Sequence, residues 1–138
     1  AGAQVWSLRA RPGSDFEDLR QYTTTEILAH VKPLDFLGDS LDVLRTFPDG
    51  ARRAAGFQLD RLQRGLEPLD WKPMTSIGPG VQEIRVREEG GAFRVIYLTR
   101  QPEAVYVIHC FQKKTQRTPQ RELGLARRRL SELMRAQR

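Results

Sequence analysis

"VQEIRVREEGGAFRVIYLTRQPEAVYVIHCFQKK", residues 81–114, is the stretch from which the fold is read. It contains three strand-like runs, Val81–Glu88, Ala92–Arg100 and Ala104–Lys113, separated by Glu89-Gly90-Gly91 and Gln101-Pro102-Glu103. Short connections built from turn residues make an antiparallel β-meander the simplest arrangement. Strand alternation then sorts the side chains. In the third run Val105, Val107, His109, Phe111 and Lys113 are expected on one face, with Tyr106, Ile108, Cys110, Gln112 and Lys114 on the other. In the second, Arg94 sides with Ile96 and Leu98. In the first, Glu83, Arg85 and Arg87 lie together, opposite Ile84 and Val86. Charge inside an apolar run costs free energy unless it is exposed or paired. The first strand is therefore expected to show an Arg-rich face to solvent or to an anion.

Upstream, "LEPLDWKPMTSIGPG" has three prolines and two glycines and reads as ordered loop, with Trp71 as a core anchor. Before it, Asp39-Ser40 offers N-cap oxygens to a helix carrying Leu41, Leu44 and Phe47, which stops at Pro48. A second helix fits Asp49 to about Arg64, with Ala55, Leu59 and Leu62 on one stripe and Gly65 as the residue that closes it. Only Pro-Asp-Gly separates the two, which predicts an antiparallel helical hairpin. Downstream, Thr118 should cap a last helix with Pro119 at its first position and Leu123, Ala126, Leu130 and Leu133 facing inward. The order ααβββα implies an α+β domain: an N-terminal helical hairpin, a small antiparallel meander and a C-terminal helix packed on the sheet. The helices are expected on one face of it. The domain should run over residues 32–138. Residues 1–31 are an N-terminal extension in which "VWSL" fits a short strand and Thr23-x-x-Glu26 a capping box before Ile27 and Leu28; His30 is read as structural.

The 138 residues suffice for one domain, and no run approaches the ~18 apolar residues of a membrane span. No signal peptide is visible. The single cysteine, Cys110, excludes an intramolecular disulfide and fits a reducing cytoplasm. One cysteine and two distant histidines also make a poor metal site, so neither metal nor other cofactor is expected. The net charge is +6, yet Lys113–Arg138 alone holds nine Lys or Arg against Glu122 and Glu132. A basic surface this concentrated points to a polyanion, while a merely solvated helix face is the plainer reading.

Cleaving RNA with its own 2′-hydroxyl requires in-line orientation, neutralisation of charge on the phosphorane and a path for protons. Arginine forks suit phosphate oxygens, lysines stabilise local negative charge and histidine titrates near neutral pH. Arg85, Arg94, His109, Lys113 and Lys114 supply these types on neighbouring strands, and Lys72, on the loop before them, is read either as a phosphate contact or as a solvated loop lysine. Each has a plain alternative. His109 fits a hydrogen-bonded core histidine, and Arg85 could pair with Glu83 or Glu88 on the sheet surface. Arg94 is harder to dismiss, because its strand neighbours are apolar.

From "WKPMTSIGPG" through "IHCFQKKTQRTPQRELGLARRRL" the chain resembles the phage-derived branch of the HigB/RelE toxins of bacterial type II toxin–antitoxin systems. The matching elements are Trp71-Lys72-Pro73, Gly80-Val81-x-Glu83-x-Arg85, Phe93-Arg94-Val95-x-Tyr97 and the block from His109 to Pro119; "PLDFLGDSLDVLRTFP" fits the usual opening. The resemblance implies a RelE-like fold and a ribosome-dependent endoribonuclease that cuts mRNA and is neutralised by an antitoxin of HigA-like helix-turn-helix type. It implies Arg94, Lys113 and Lys114 as catalytic residues, with His109 joining them as part of this branch's motif, and Arg85 as a further basic sheet position; Arg85, Lys72, Arg87 and Arg117 are the expected RNA contacts. Two other readings remain: a ParE-like toxin that inhibits DNA gyrase by protein binding, and a basic RNA-binding module without cleavage.

Overall fold

The computed structural model describes residues 7–10 and 32–137. Its elements are β1 (Ser7–Ala10), β2 (Leu34–Leu37), α1 (Ser40–Thr46), α2 (Asp49–Gln63), β3 (Trp71–Pro73), β4 (Val81–Glu88), β5 (Gly91–Leu98), β6 (Val105–Lys113) and α3 (Gln120–Ala136). One mixed sheet runs in the order β1-β2-β6-β5-β4-β3, with five of its six strands between Leu34 and Lys113. The antiparallel meander of β4, β5 and β6 is present as its residues predict. The capping box at Thr23 and the histidine at 30 lie outside the described residues.

Three strands join that meander. β2 pairs in parallel with β6, and all four of its side chains are buried. A strand buried on both faces has no period-two signature, so "LDFL" carried no strand signal. β1 pairs antiparallel with β2 from Ser7↔Leu37 to Ala10↔Leu34, overlapping the "VWSL" expectation only at Ser7 and Leu8. β3 pairs with β4 at the opposite edge, inside what reads as loop. Trp71, expected as a core anchor, stands on that edge strand half-buried and outside both core clusters.

The sheet carries helices on both faces, not on one. Leu41, Leu44, Ala51, Ala55 and Leu59 of α1 and α2 pack with Ile84, Val86, Phe93, Val95 and Val107. Ala126 and Leu133 of α3, with partly buried Leu123 and Leu130, pack with Val81, Ile96, Leu98 and Ile108. The reason lies in β5, where Phe93–Leu98 is buried without interruption, so each face presents apolar area that must leave water. The two N-terminal helices follow each other across Phe47-Pro48, and each packs chiefly on the sheet, α1 on β6 and α2 on β4.

The caps differ from expectation. Asp39 makes no cap bond to α1; its carboxylate receives Arg129 of α3, and the Ser40 hydroxyl donates to the Val107 carbonyl at 3.1 Å. Pro119 is the N-cap of α3 and not its first helical residue, and no side chain caps that end. The end of α2 is as predicted. Gly65 has φ +79°, its N–H donates to the Leu62 carbonyl at 3.0 Å, and the Leu66 N–H reaches the Arg61 carbonyl at 2.9 Å. That pair of bonds is a Schellman motif. Gly65→Ala forces a Cβ into the left-handed region and should cost about 1–2 kcal/mol. Denaturant unfolding would measure it, and an unchanged midpoint would mean that the helix end relaxes freely.

One irregularity positions the site. Ile96 pairs with His109 but Tyr97 with Val107, leaving Ile108 as an extra residue in β6. This β-bulge reverses the alternation along the strand. Val105 and Val107 join the α1/α2 core, whereas Phe111 joins the α3 side. The expectation that Val105, Val107, His109, Phe111 and Lys113 share one face is thus corrected at Ile108.

Candidate functional site

Beyond the bulge the sheet register brings the charged residues into line on the α3 side. Lys72 stands opposite Glu83, Glu83 opposite Ile96 and Ile96 opposite His109. In the next row Arg85 faces Arg94, which faces Phe111, and in the row after it Arg87 faces Ala92, which faces Lys113. Directly opposed residues project from the same face of a sheet. Lys72, Glu83, Arg85, Arg94 and Lys113 therefore share one surface although β3, β4, β5 and β6 supply them separately.

Arg94 and Glu83 form its centre. Arg94 is only 5% exposed, and its Nη1 donates to the neighbouring Phe93 carbonyl at 3.0 Å. Its Nε lies 3.3 Å from Oε1 of Glu83, which is fully buried, and Lys72 Nζ approaches the same oxygen to 3.9 Å. These are ion pairs by distance, yet neither Glu83 oxygen nor Arg94 Nε has a hydrogen-bond partner. Burial pushes the Glu83 carboxyl above its usual range, against the pull of Lys72, Arg94, Lys113 and Arg85. Burial also lowers the Arg94 pKa, opposed by Glu83. Arginine stays protonated regardless, so the site holds a desolvated cation that its buried partner only partly neutralises.

Lys113, half-buried at the end of β6, completes the group. Burial lowers its pKa first, followed by the positive fields of Arg94 and Lys72. Its amine is thereby made a readier proton donor. Arg85 is less free than the sequence suggests. Its Nη2 and Nε lie 2.7 and 2.9 Å from one Asp70 oxygen, not from Glu83 or Glu88. Arg87, Lys114 and Arg117 are exposed, and none is among the charges that act most on Glu83 or Lys113. Lys114 follows the last residue of β6 and Arg117 sits in the loop before α3.

His109 stands in the setting of a hydrogen-bonded core histidine, the plainer of its two readings. It is 5% exposed, stacks on Phe111 with ring centroids 5.4 Å apart, and both ring nitrogens are engaged by α3. Arg129 Nη1 lies 3.3 Å from Nδ1 and can only donate, so Nδ1 accepts and Nε2–H donates to Glu122 Oε2 at 2.9 Å. In this arrangement no ring nitrogen is left for a substrate proton. Burial lowers the His109 pKa below its ordinary 6.5, outweighing Glu122. The unfolded chain then takes up a proton that the folded protein refuses, so this contribution is complete above 6.5 and falls as pH drops through the folded value. Wild-type Tm should decline from about pH 7 to 5 more steeply than that of His109→Gln. Parallel Tm profiles would remove His109 from the acid sensitivity. Glu83, with its raised pKa, contributes in the opposite direction, which is why the variant comparison is needed.

Sequence reading assigned no role to Glu83 beyond a motif position and a surface pairing, and none to Asp70. A carboxylate within "VQEIRV" is a visible anomaly, but its cationic neighbours become apparent only once the three-residue strand β3 pairs with β4. Among the described residues no cluster of His, Cys, Asp and Glu is placed to hold a metal ion, and no helix is long and apolar enough to cross a membrane. Residues 42–131 match the family model described as Phage derived protein Gp49-like (DUF891), a span that contains every residue of the cluster. No curated protein matches the chain.

Proposed function

This chain belongs to the phage-derived Gp49-like family, a toxin-like family of toxin–antitoxin systems, and from that premise we propose that it is a HigB-type toxin that cleaves mRNA on the ribosome. Family membership implies an antitoxin partner. Of the readings open to a basic α+β domain, the nuclease is favoured by one observation: a nearly buried arginine held between Lys72, Glu83 and Lys113 on a single sheet face. A surface that only binds a protein has no need of a desolvated cation at that position, since desolvation costs free energy without strengthening a solvated contact. A phosphate that gains charge in its transition state is stabilised by such preorganised donors.

In this mechanism the 2′-oxygen of the substrate bonds to phosphorus while the bond to the 5′-oxygen breaks, giving a 2′,3′-cyclic phosphate and a free 5′-hydroxyl. Arg94 holds the non-bridging oxygens, with Lys72 adding positive field. Lys113, its pKa lowered by burial and by Arg94, gives its proton to the departing 5′-oxygen, and the 2′-hydroxyl proton passes to solvent. Glu83 is out of reach of the substrate and acts as a positioning residue for Arg94. Arg85, held by Asp70, and the exposed Arg87, Arg117 and Lys114 contact the RNA around the scissile bond. His109 fastens α3 to the sheet and passes no proton. The fold is read as RelE-like, and the partner as a HigA-like helix-turn-helix antitoxin that covers the basic face.

A reconstituted translation reaction with primer extension on the mRNA tests this. Cuts in register with codons, absent without ribosomes and suppressed by the antitoxin, are expected. An intact message with inhibited gyrase supercoiling would replace the proposal with the ParE-like reading.

A further inference from the structure

The helix α3 carries three consecutive arginines, and the structure sends them three ways. Arg129 turns inward, donating to the Ile108 carbonyl at 3.0 Å and pairing with Asp39. Arg127 Nε donates to the Ser76 carbonyl at 2.9 Å. Arg128 is exposed and makes no hydrogen bond or ion pair among the described residues. Seven residues to either side stand Arg121 and Arg135, both exposed. A seven-residue step advances ~10.5 Å along a helix and turns it by only ~20°. The three therefore form one solvent-facing row.

Two acids flank that row, yet neither pairs with Arg128 or Arg135 among the described residues. The helix has two acids: Glu132 is half-buried, and Glu122 gives one oxygen to His109, with Arg121 Nε 3.5 Å from the other. A merely solvated helix face usually pairs opposite signs at i,i+4 spacing, which adds stability; here Glu132 follows Arg128 at that spacing without pairing to it, and Arg128 and Arg135 stay unneutralised among the described residues. Gly124, between Arg121 and Arg128, has open space where a Cβ would stand. Packing therefore does not demand a glycine there, although it costs the helix roughly 1 kcal/mol against alanine.

We propose that Arg121, Arg128 and Arg135 form a second RNA-docking surface, one that grips the phosphate backbone of double-stranded RNA. Unpaired RNA is usually held on aromatic platforms, and the chain has no aromatic residue from Gln112 to Arg138. A duplex presents phosphates and shape and needs no stacking partner. The row lies on the helix that covers the Arg94 face of the sheet, so a docked duplex would stand beside the cleavage site without entering it. The inference rests on the reading above only in taking RNA as the polyanion, and does not require Arg94 to be catalytic.

Fluorescence anisotropy with a labelled RNA duplex of about 20 base pairs tests it, roughly the span that shape-reading domains cover. Wild type is compared with the triple variant Arg121→Gln/Arg128→Gln/Arg135→Gln and with a charge-matched control, Arg45→Gln/Arg52→Gln/Arg53→Gln, on the opposite side of the sheet. The row variant should lose about tenfold or more in affinity, and its salt slope should fall by about three, one per phosphate contact. The control should lose much less. Glutamine is a good helix former, so an unchanged Tm would confirm that the variants fold. Equal losses in both triple variants would reduce the effect to net charge and overturn the proposal. Unchanged affinity in the row variant would overturn it too, leaving an acidic protein as the alternative ligand. Duplex binding through the row without any mRNA cleavage in translation would sink the nuclease reading and leave this one standing.

Discussion

Arg94→Ala should slow mRNA cleavage by about a hundredfold or more while leaving the protein folded. In the proposed mechanism the guanidinium meets the phosphate most strongly as charge develops, and deleting a comparable preorganised donor costs roughly 3–4 kcal/mol of transition-state stabilisation. Stability is expected to suffer less than a broken buried ion pair normally implies. Burial already raises the pKa of Glu83, so the carboxyl can take up a proton once its partner is gone. Arg94→Met, which keeps most of the side-chain packing, should lose the same activity. Single-turnover cleavage rates and thermal melts on both variants separate the explanations. If activity falls only in proportion to the folded fraction, Arg94 is a packing residue; a folded variant that cleaves at the wild-type rate removes it from the site.

Glu83→Gln should be the more damaging change to the fold. It keeps the shape but strands Arg94, 5% exposed, next to Lys72 and within the field of Lys113, with no anion among them. Breaking a buried pair in this way costs about 3–5 kcal/mol, equivalent to a Tm loss on the order of 10 °C for a domain of this size. The double variant Glu83→Gln/Arg94→Met should recover much of that loss, because the uncompensated charge is then gone. Activity should fall through kcat more than KM, since a mispositioned guanidinium still attracts phosphate but no longer aligns with it. Additive losses in the double-mutant cycle would show that the two side chains are not coupled.

Much of this site is present in local patterns. Arg94 is conspicuous because "FRVIY" is otherwise apolar, Lys113 because it ends a strand, and the meander because its turns are short and rich in Gly and Pro. Gly65 announces its left-handed turn after a helical stripe. Each of these signals spans a few residues and reflects backbone sterics or burial periodicity, which chain segments express independently of their surroundings.

Other features depend on partners distant in the chain. "LDFL" becomes a strand by pairing with Val105–Val107, about seventy residues away, and its wholly buried side chains erase the alternation that would have marked it. Ile108 becomes a bulge only when β6 is laid against β5, and that single extra residue sends His109, Phe111 and Lys113 to the Arg94 face while Val105 and Val107 stay on the other. Asp39 holds the N-cap position, but neither its side chain nor that of Ser40 caps the helix, because Arg129 and the Val107 carbonyl take them as partners. The sequence by itself determined the strands of the meander, the helices and the residue types available for phosphate chemistry. Tertiary structure decided which of those residues meet, because sheet register and burial are set by non-local pairing, and a slip of one residue exchanges the two faces of a strand.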